Sequence, residues 1–93
     1  MANGFAVHDV NAILEYAFDW TDWLVSGEEI ETSTWTGPAG ITLTASLNSP
    51  YAIVKVEVTD LTLRGRVRLT NHVVSSDGQE DDRILALYMT QRQ

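Results

Sequence analysis

The sequence predicts an all-β protein: an antiparallel β-sandwich of about six to seven strands preceded by an extended N-terminal arm. Three observations point there. Apolar residues recur with period two along most of the chain, which is the spacing of a strand buried on one face. Turn signals separate the alternating runs every eight to twelve residues or so. No segment carries apolar residues at i, i+3, i+4 and i+7 over a useful helical length.

Residues 1–12 read as the N-terminal arm and 13–93 as one sandwich domain. Leu14, Tyr16, Phe18 and Trp20 then share one parity, as on a half-buried strand. The box Asp19-Trp20-Thr21-Asp22-Trp23 follows, where Asp19 can cap a single helical turn by accepting from free backbone N–H groups. Such a turn brings Trp20 and Trp23 to one side. Ile30 and Trp35 lie five apart and cannot share a face of a regular strand, so a bulge between them or burial on both faces is expected. Gly37-Pro38-Ala39-Gly40 is a turn signal. After it, Ile41, Leu43, Ala45 and Leu47 oppose Thr42, Thr44, Ser46 and Asn48, and Asn48-Ser49-Pro50 closes that strand. Ala52, Val54, Val56 and Val58 oppose Ile53, Lys55, Glu57 and Thr59, giving a neighbouring strand rich in β-branched residues.

Further on, Leu61, Leu63, Gly65, Val67, Leu69, Asn71 and Val73 keep one parity, with Arg64, Arg66, Arg68, Thr70 and His72 on the other. Ser75-Ser76-Asp77-Gly78 reads as a hairpin turn with Gly78 at positive φ. The last strand runs to about Thr90, with Arg83, Leu85, Leu87 and Met89 alternating with Ile84, Ala86 and Tyr88. This order of strands is consistent with an immunoglobulin-like topology. The pattern alone also permits a small barrel.

Composition narrows the function. A 93-residue chain has one core and little surface left for an enclosed active site. Six basic residues against thirteen acidic ones give a net charge of -7, which repels phosphate backbones and anionic membranes, so neither nucleic acid nor membrane is an expected partner. There is no cysteine, hence no disulfide and no thiolate chemistry, as suits folding in a reducing cytoplasm. No export signal and no apolar run long enough to span a bilayer is present.

From Tyr16 to Met89 the chain resembles the small phage virion proteins described as fiber-tail adaptors. The residues that carry the resemblance are Asp19-Trp20-Thr21-Asp22-Trp23-Leu24, then Ser33-Thr34-Trp35-Thr36 with Gly37-Pro38-Ala39-Gly40. Thr70-Asn71-His72-Val73-Val74-Ser75-Ser76-Asp77-Gly78 and Glu80-Asp81-Asp82-Arg83 complete it. Family-like proteins usually reach the Thr-Asn strand through a glycine-rich loop and an aromatic, whereas this chain has Leu61-Thr62-Leu63-Arg64-Gly65-Arg66. The resemblance implies an immunoglobulin-like domain in a phage tail, bridging the tail body to a receptor-binding fiber or decorating that junction, without catalysis; such a protein is expected in multiple copies in a symmetric assembly, made in the host cytoplasm.

Each candidate site has a plain structural reading beside the functional one. Trp20 and Trp23 are read first as a plug at one end of the sandwich, and second as a protein-contact patch or a carbohydrate-stacking platform. Arg64, Arg66 and Arg68 are read first as cross-strand partners of acids such as Glu57 or Glu80, and second as an assembly contact. Ile84, Ala86 and Tyr88 place an apolar stripe on the outer sheet face. The arm residues Phe5, Val7 and Val10 are apolar enough to fold over it, in cis or on a neighbouring subunit. The acidic run Asp77 to Asp82 lacks calcium-loop spacing and reads as a solvated hairpin tip. His8 and His72 have no ligand-spaced companions, so no metal and no cofactor is expected. The expected function is a tail-associated adaptor. A capsid decoration protein or a carbohydrate-binding module are the alternatives.

Overall fold

The computed structural model describes residues 4–91 and is built entirely from strands and turns over that range. The strands are β1 (Gly4–Asp9), β2 (Ile13–Asp19), β3 (Ile30–Thr36), β4 (Ile41–Asn48), β5 (Tyr51–Val58), β6 (Gly65–Ser75) and β7 (Glu80–Thr90). They form a four-stranded sheet in the order β1-β7-β6-β3 and a three-stranded sheet in the order β2-β5-β4. All pairings are antiparallel except β1 with β7, which is parallel. The 2-5-4 and 7-6-3 groupings divide the strands as a constant-type immunoglobulin sandwich does, and β1 departs from that order by joining the second sheet.

The core lies between the sheets. Ala52, Val54, Val56 and Val58 of β5 face Leu69 and Val73 of β6 and Leu85, Leu87 and Met89 of β7, all buried. Period two makes this possible, because each strand sends every second side chain to the same layer. The bulge expected in β3 is present as a register shift between Ile30 and Thr32, and it puts both Ile30 and Trp35 in the core. Trp35 stacks on Phe18 at 5.6 Å between centroids and 7° between planes, tying the two sheets together.

Two expectations are corrected. The strand expected from Leu61 begins only at Gly65. Asp60 accepts from the Thr62 amide at 3.0 Å, a local turn that competes with the sheet ladder, and Leu61 is left exposed. The expected N-terminal arm does not cover the outer stripe of its own chain, because residues 4–9 extend the sheet edge as β1. Residues 1–3 of that arm, and 92–93 at the other terminus, lie outside the described residues.

Candidate protein-contact surface

Register decides which side chains share the outer face of the four-stranded sheet. Phe5 of β1 lies beside Ala86 of β7, which lies beside Arg68 of β6. One row along, Val7, Tyr88 and Arg66 are aligned in the same way. Phe5 is 60% exposed, Val7 47% and Tyr88 48%, so the alternation that turns Gly4, Ala6 and the fully buried His8 inward pushes the larger apolar groups of β1 outward. Ile84, in the next row opposite Thr70, is half-buried. Joining β1 to β7 thus turns a single apolar stripe into a two-strand patch, the kind of surface that marks a contact site.

The arginines border this patch. The expected partners Glu57 and Glu80 are not engaged. Glu57 lies on β5, whose outward residues face the opposite side of the sandwich, and the Glu80 carboxylate accepts from His72 Nε2 at 2.9 Å. Arg66 and Arg68 are exposed, and their guanidinium groups form no ion pair or hydrogen bond with the described residues. Arg64 is separate from them. It sits in the β5–β6 loop, where its guanidinium donates to the carbonyls of Leu61 and Leu63 at 2.9 and 2.6 Å and to Gln91 Oε1 at 2.6 Å. It closes a loop and offers less to a partner.

The tryptophan box is structural in its first member. Asp19 accepts from the Thr21 amide and hydroxyl, and the amides of Trp23 and Leu24 both donate to the Trp20 carbonyl, at 3.0 and 3.1 Å. This is the single capped turn that the sequence predicts. The hydrogen bonds from Thr21, its hydroxyl first, hold the Asp19 carboxyl below the usual range. Trp20 has no exposed surface, its Nε1 donates to Asn71 Oδ1 at 3.0 Å, and the Arg83 guanidinium lies 3.9 Å above its ring. Trp20 is therefore a core residue and not the contact residue expected of it. Trp23 remains partly exposed, edge-on to Trp20 at 70°. One indole buried and the other tilted leave no flat platform for a sugar ring.

At the same end, the β2–β3 loop and the β6–β7 hairpin are laced together. The Ser76 amide donates to the Glu29 carbonyl at 2.8 Å, and the Ser75 hydroxyl donates to Glu28 Oε2 at 2.8 Å. The Val25 amide, then the Ser75 hydroxyl, lower the Glu28 carboxyl. An open depression of about 320 Å3 is lined here by Leu24, Val25, Glu28, Glu29 and Pro50 among others. Gly78 has φ 85°, as the hairpin requires. His72 is held between Asp82 at 2.6 Å and Glu80 at 2.9 Å, and these bonds, Asp82 first, raise it above the ordinary histidine range. Among the described residues no cluster of histidine and acidic side chains is arranged to hold a metal ion.

Two polar features escape the sequence reading. His8 is fully buried, donating from Nε2 to the Ala12 carbonyl at 2.9 Å and accepting at Nδ1 from the Tyr16 hydroxyl at 2.7 Å, which anchors β1 to β2. Burial raises the Tyr16 phenol. Asn71, also fully buried, ties Trp20 to Ser33 and Thr34 of β3. A polar residue on an otherwise apolar parity was the available signal for each.

The model of a family described as podophage GP4 fiber-tail adaptor protein gp77 matches residues 8–88. No curated protein matches the chain.

Proposed function

Since the chain belongs to the podophage GP4 fiber-tail adaptor family, we propose that it joins the tail body to a receptor-binding fiber through protein–protein contacts. The observation that carries this reading is the outer face of the four-stranded sheet, where Phe5, Val7 and Tyr88 lie together beside Arg66 and Arg68. Phe5, Val7 and Tyr88 are already about half covered, so completing the burial of each contributes roughly half of the about 1.5–3 kcal/mol of full burial. A handful of these offsets a good part of an association cost of about 4–15 kcal/mol. Several copies, arranged to the symmetry of the tail, supply the remainder by acting together. Work of this kind is passive: it needs matched surfaces on a rigid sandwich, and the proposed role includes no catalytic step. Trp23 and the N-terminal strand are further contact candidates.

Reconstitution tests the reading. Particles made without this chain are incubated with purified wild-type protein or with the Phe5→Ser/Tyr88→Ser variant, and fibers are counted by electron microscopy. Wild type restores the fibers and the folded variant does not. Fibers present in full without the chain would contradict the adaptor role, and equal restoration by the variant would contradict the assignment of the face.

A further inference from the structure

We propose that the Arg66 and Arg68 face receives the acidic end of a second copy of this chain, so that copies associate head to tail. The inference rests on the reading above and deepens it: the neighbour that this face meets in the assembly is another copy of the chain, and the tail body and fiber meet the array so formed. What carries it is the segregation of charge along the molecule. Most of the thirteen acidic residues fall in two segments, 19–31 and 77–82. The hydrogen bonds from Ser75 and Ser76 to Glu28 and Glu29 hold these segments together at one end of a body 46 Å long. The one arginine there, Arg83, is buried, covers Trp20 and donates to the Asp19 carbonyl at 2.7 Å. That end therefore presents carboxylates, with His72 as the exposed basic group, already held by two of them.

Arg66 and Arg68 occupy the other half of β6, next to the strand start at Gly65, whereas the acidic hairpin follows the strand end at Ser75. A rigid strand pair separates the two groups, so they cannot meet within one chain. Asp9, the nearest outward acid on β1, accepts from the Asn11 amide at 2.9 Å in its own turn. Guanidinium forks recognise carboxylates in pairs, and the apolar patch beside them supplies the area that an ion pair at a surface lacks. A chain of net charge -7 repels its copies in most orientations. Setting this face against the acidic end is the orientation in which the charges attract. Because the two surfaces differ, the contact is heterologous, closing into a ring or continuing as an open chain.

Glu29 and Glu31, exposed at the entry to β3, make the test selective. Sedimentation velocity of the purified full chain is run over a range of concentrations on wild type, Arg66→Gln/Arg68→Gln, Glu29→Gln/Glu31→Gln and Lys55→Glu. Lys55 lies on the outer face of the other sheet and serves as the charge control. Wild type is expected to self-associate, and each of the first two variants to weaken this about tenfold or more. Lys55→Glu should leave it nearly unchanged. The glutamate variant is decisive, because lowering the net negative charge would strengthen association if overall repulsion governed it. Mixing Arg66→Glu/Arg68→Glu with Glu29→Arg/Glu31→Arg should restore assembly that neither shows alone. A wild-type protein monomeric throughout, or association indifferent to Arg66 and Arg68, overturns the inference and leaves the fiber-reconstitution result untouched.

Discussion

Replacing Asn71 by leucine tests whether the tryptophan end is held by a satisfied polar knot or by apolar packing alone. Asn71 Oδ1 accepts from Trp20 Nε1 at 3.0 Å, and its Nδ2 donates to Ser33 Oγ at 3.0 Å and the Thr34 carbonyl at 3.1 Å. Leucine has nearly the same size and removes all three bonds. Ser33 is partly exposed and can turn to water. The indole N–H cannot, since Trp20 has no exposed surface, and an orphaned buried donor costs about 1–3 kcal/mol. The two remaining bonds add about 0.5–1.5 kcal/mol each. Burying leucine in place of the amide returns about 2 kcal/mol. At the centre of these ranges the net loss is about 2 kcal/mol. With a urea slope near 1 kcal/mol/M, that loss lowers the midpoint by about 2 M. Far-UV circular dichroism follows the transition. In a Trp20→Phe background there is no indole N–H to orphan, so the same substitution should cost about 1–2 kcal/mol less. An Asn71→Leu variant that is neutral, or that costs the same in both backgrounds, would refute the reasoning.

Two further predictions concern turns and pH. Gly78 and Gly40 both have positive φ, 85° and 92°, so alanine at either costs about 1–2 kcal/mol of left-handed strain. At Gly78 the new Cβ meets open space, whereas at Gly40 it comes within 2.9 Å of Asp60 Cβ, so in parallel urea titrations Gly40→Ala should lose clearly more stability; equal losses would contradict this. His72 is raised by its bonds to Asp82 and Glu80, so its stabilising contribution is full below the ordinary histidine value of about 6.5 and fades as pH rises through the raised folded value. An NMR titration should show the His72 value lowered in Asp82→Asn, and an unchanged titration would discount the pairing.

The fold was legible where local alternation and burial agree. The β5 run from Ala52 to Val58 and the β7 run from Leu85 to Met89 bury the parity that the sequence marks as apolar. The β3 bulge follows from Ile30 and Trp35 being five apart, and the Gly78 turn from its dipeptide. β1 was less legible, because Phe5 and Val7 look like core residues while the edge position turns them outward and buries His8 instead. Whether a strand lies over a stripe or beside it depends on backbone pairing between segments about eighty residues apart, on which side-chain pattern is silent. A separation of 51 residues likewise hides the bond between Trp20 and Asn71, and with it the structural role of Trp20. Parity alone turns Arg66 and Arg68 outward, but their partners are not in the pattern, because which sheet holds Glu57 is a matter of topology.

Cryo-electron microscopy of the whole particle tests the adaptor account most directly. The account predicts density for this chain between the tail body and the fiber base, with Phe5, Val7, Tyr88, Arg66 and Arg68 covered by a neighbouring protein. Density on the capsid lattice, or a chain at the fiber base with that face open to solvent, would contradict it.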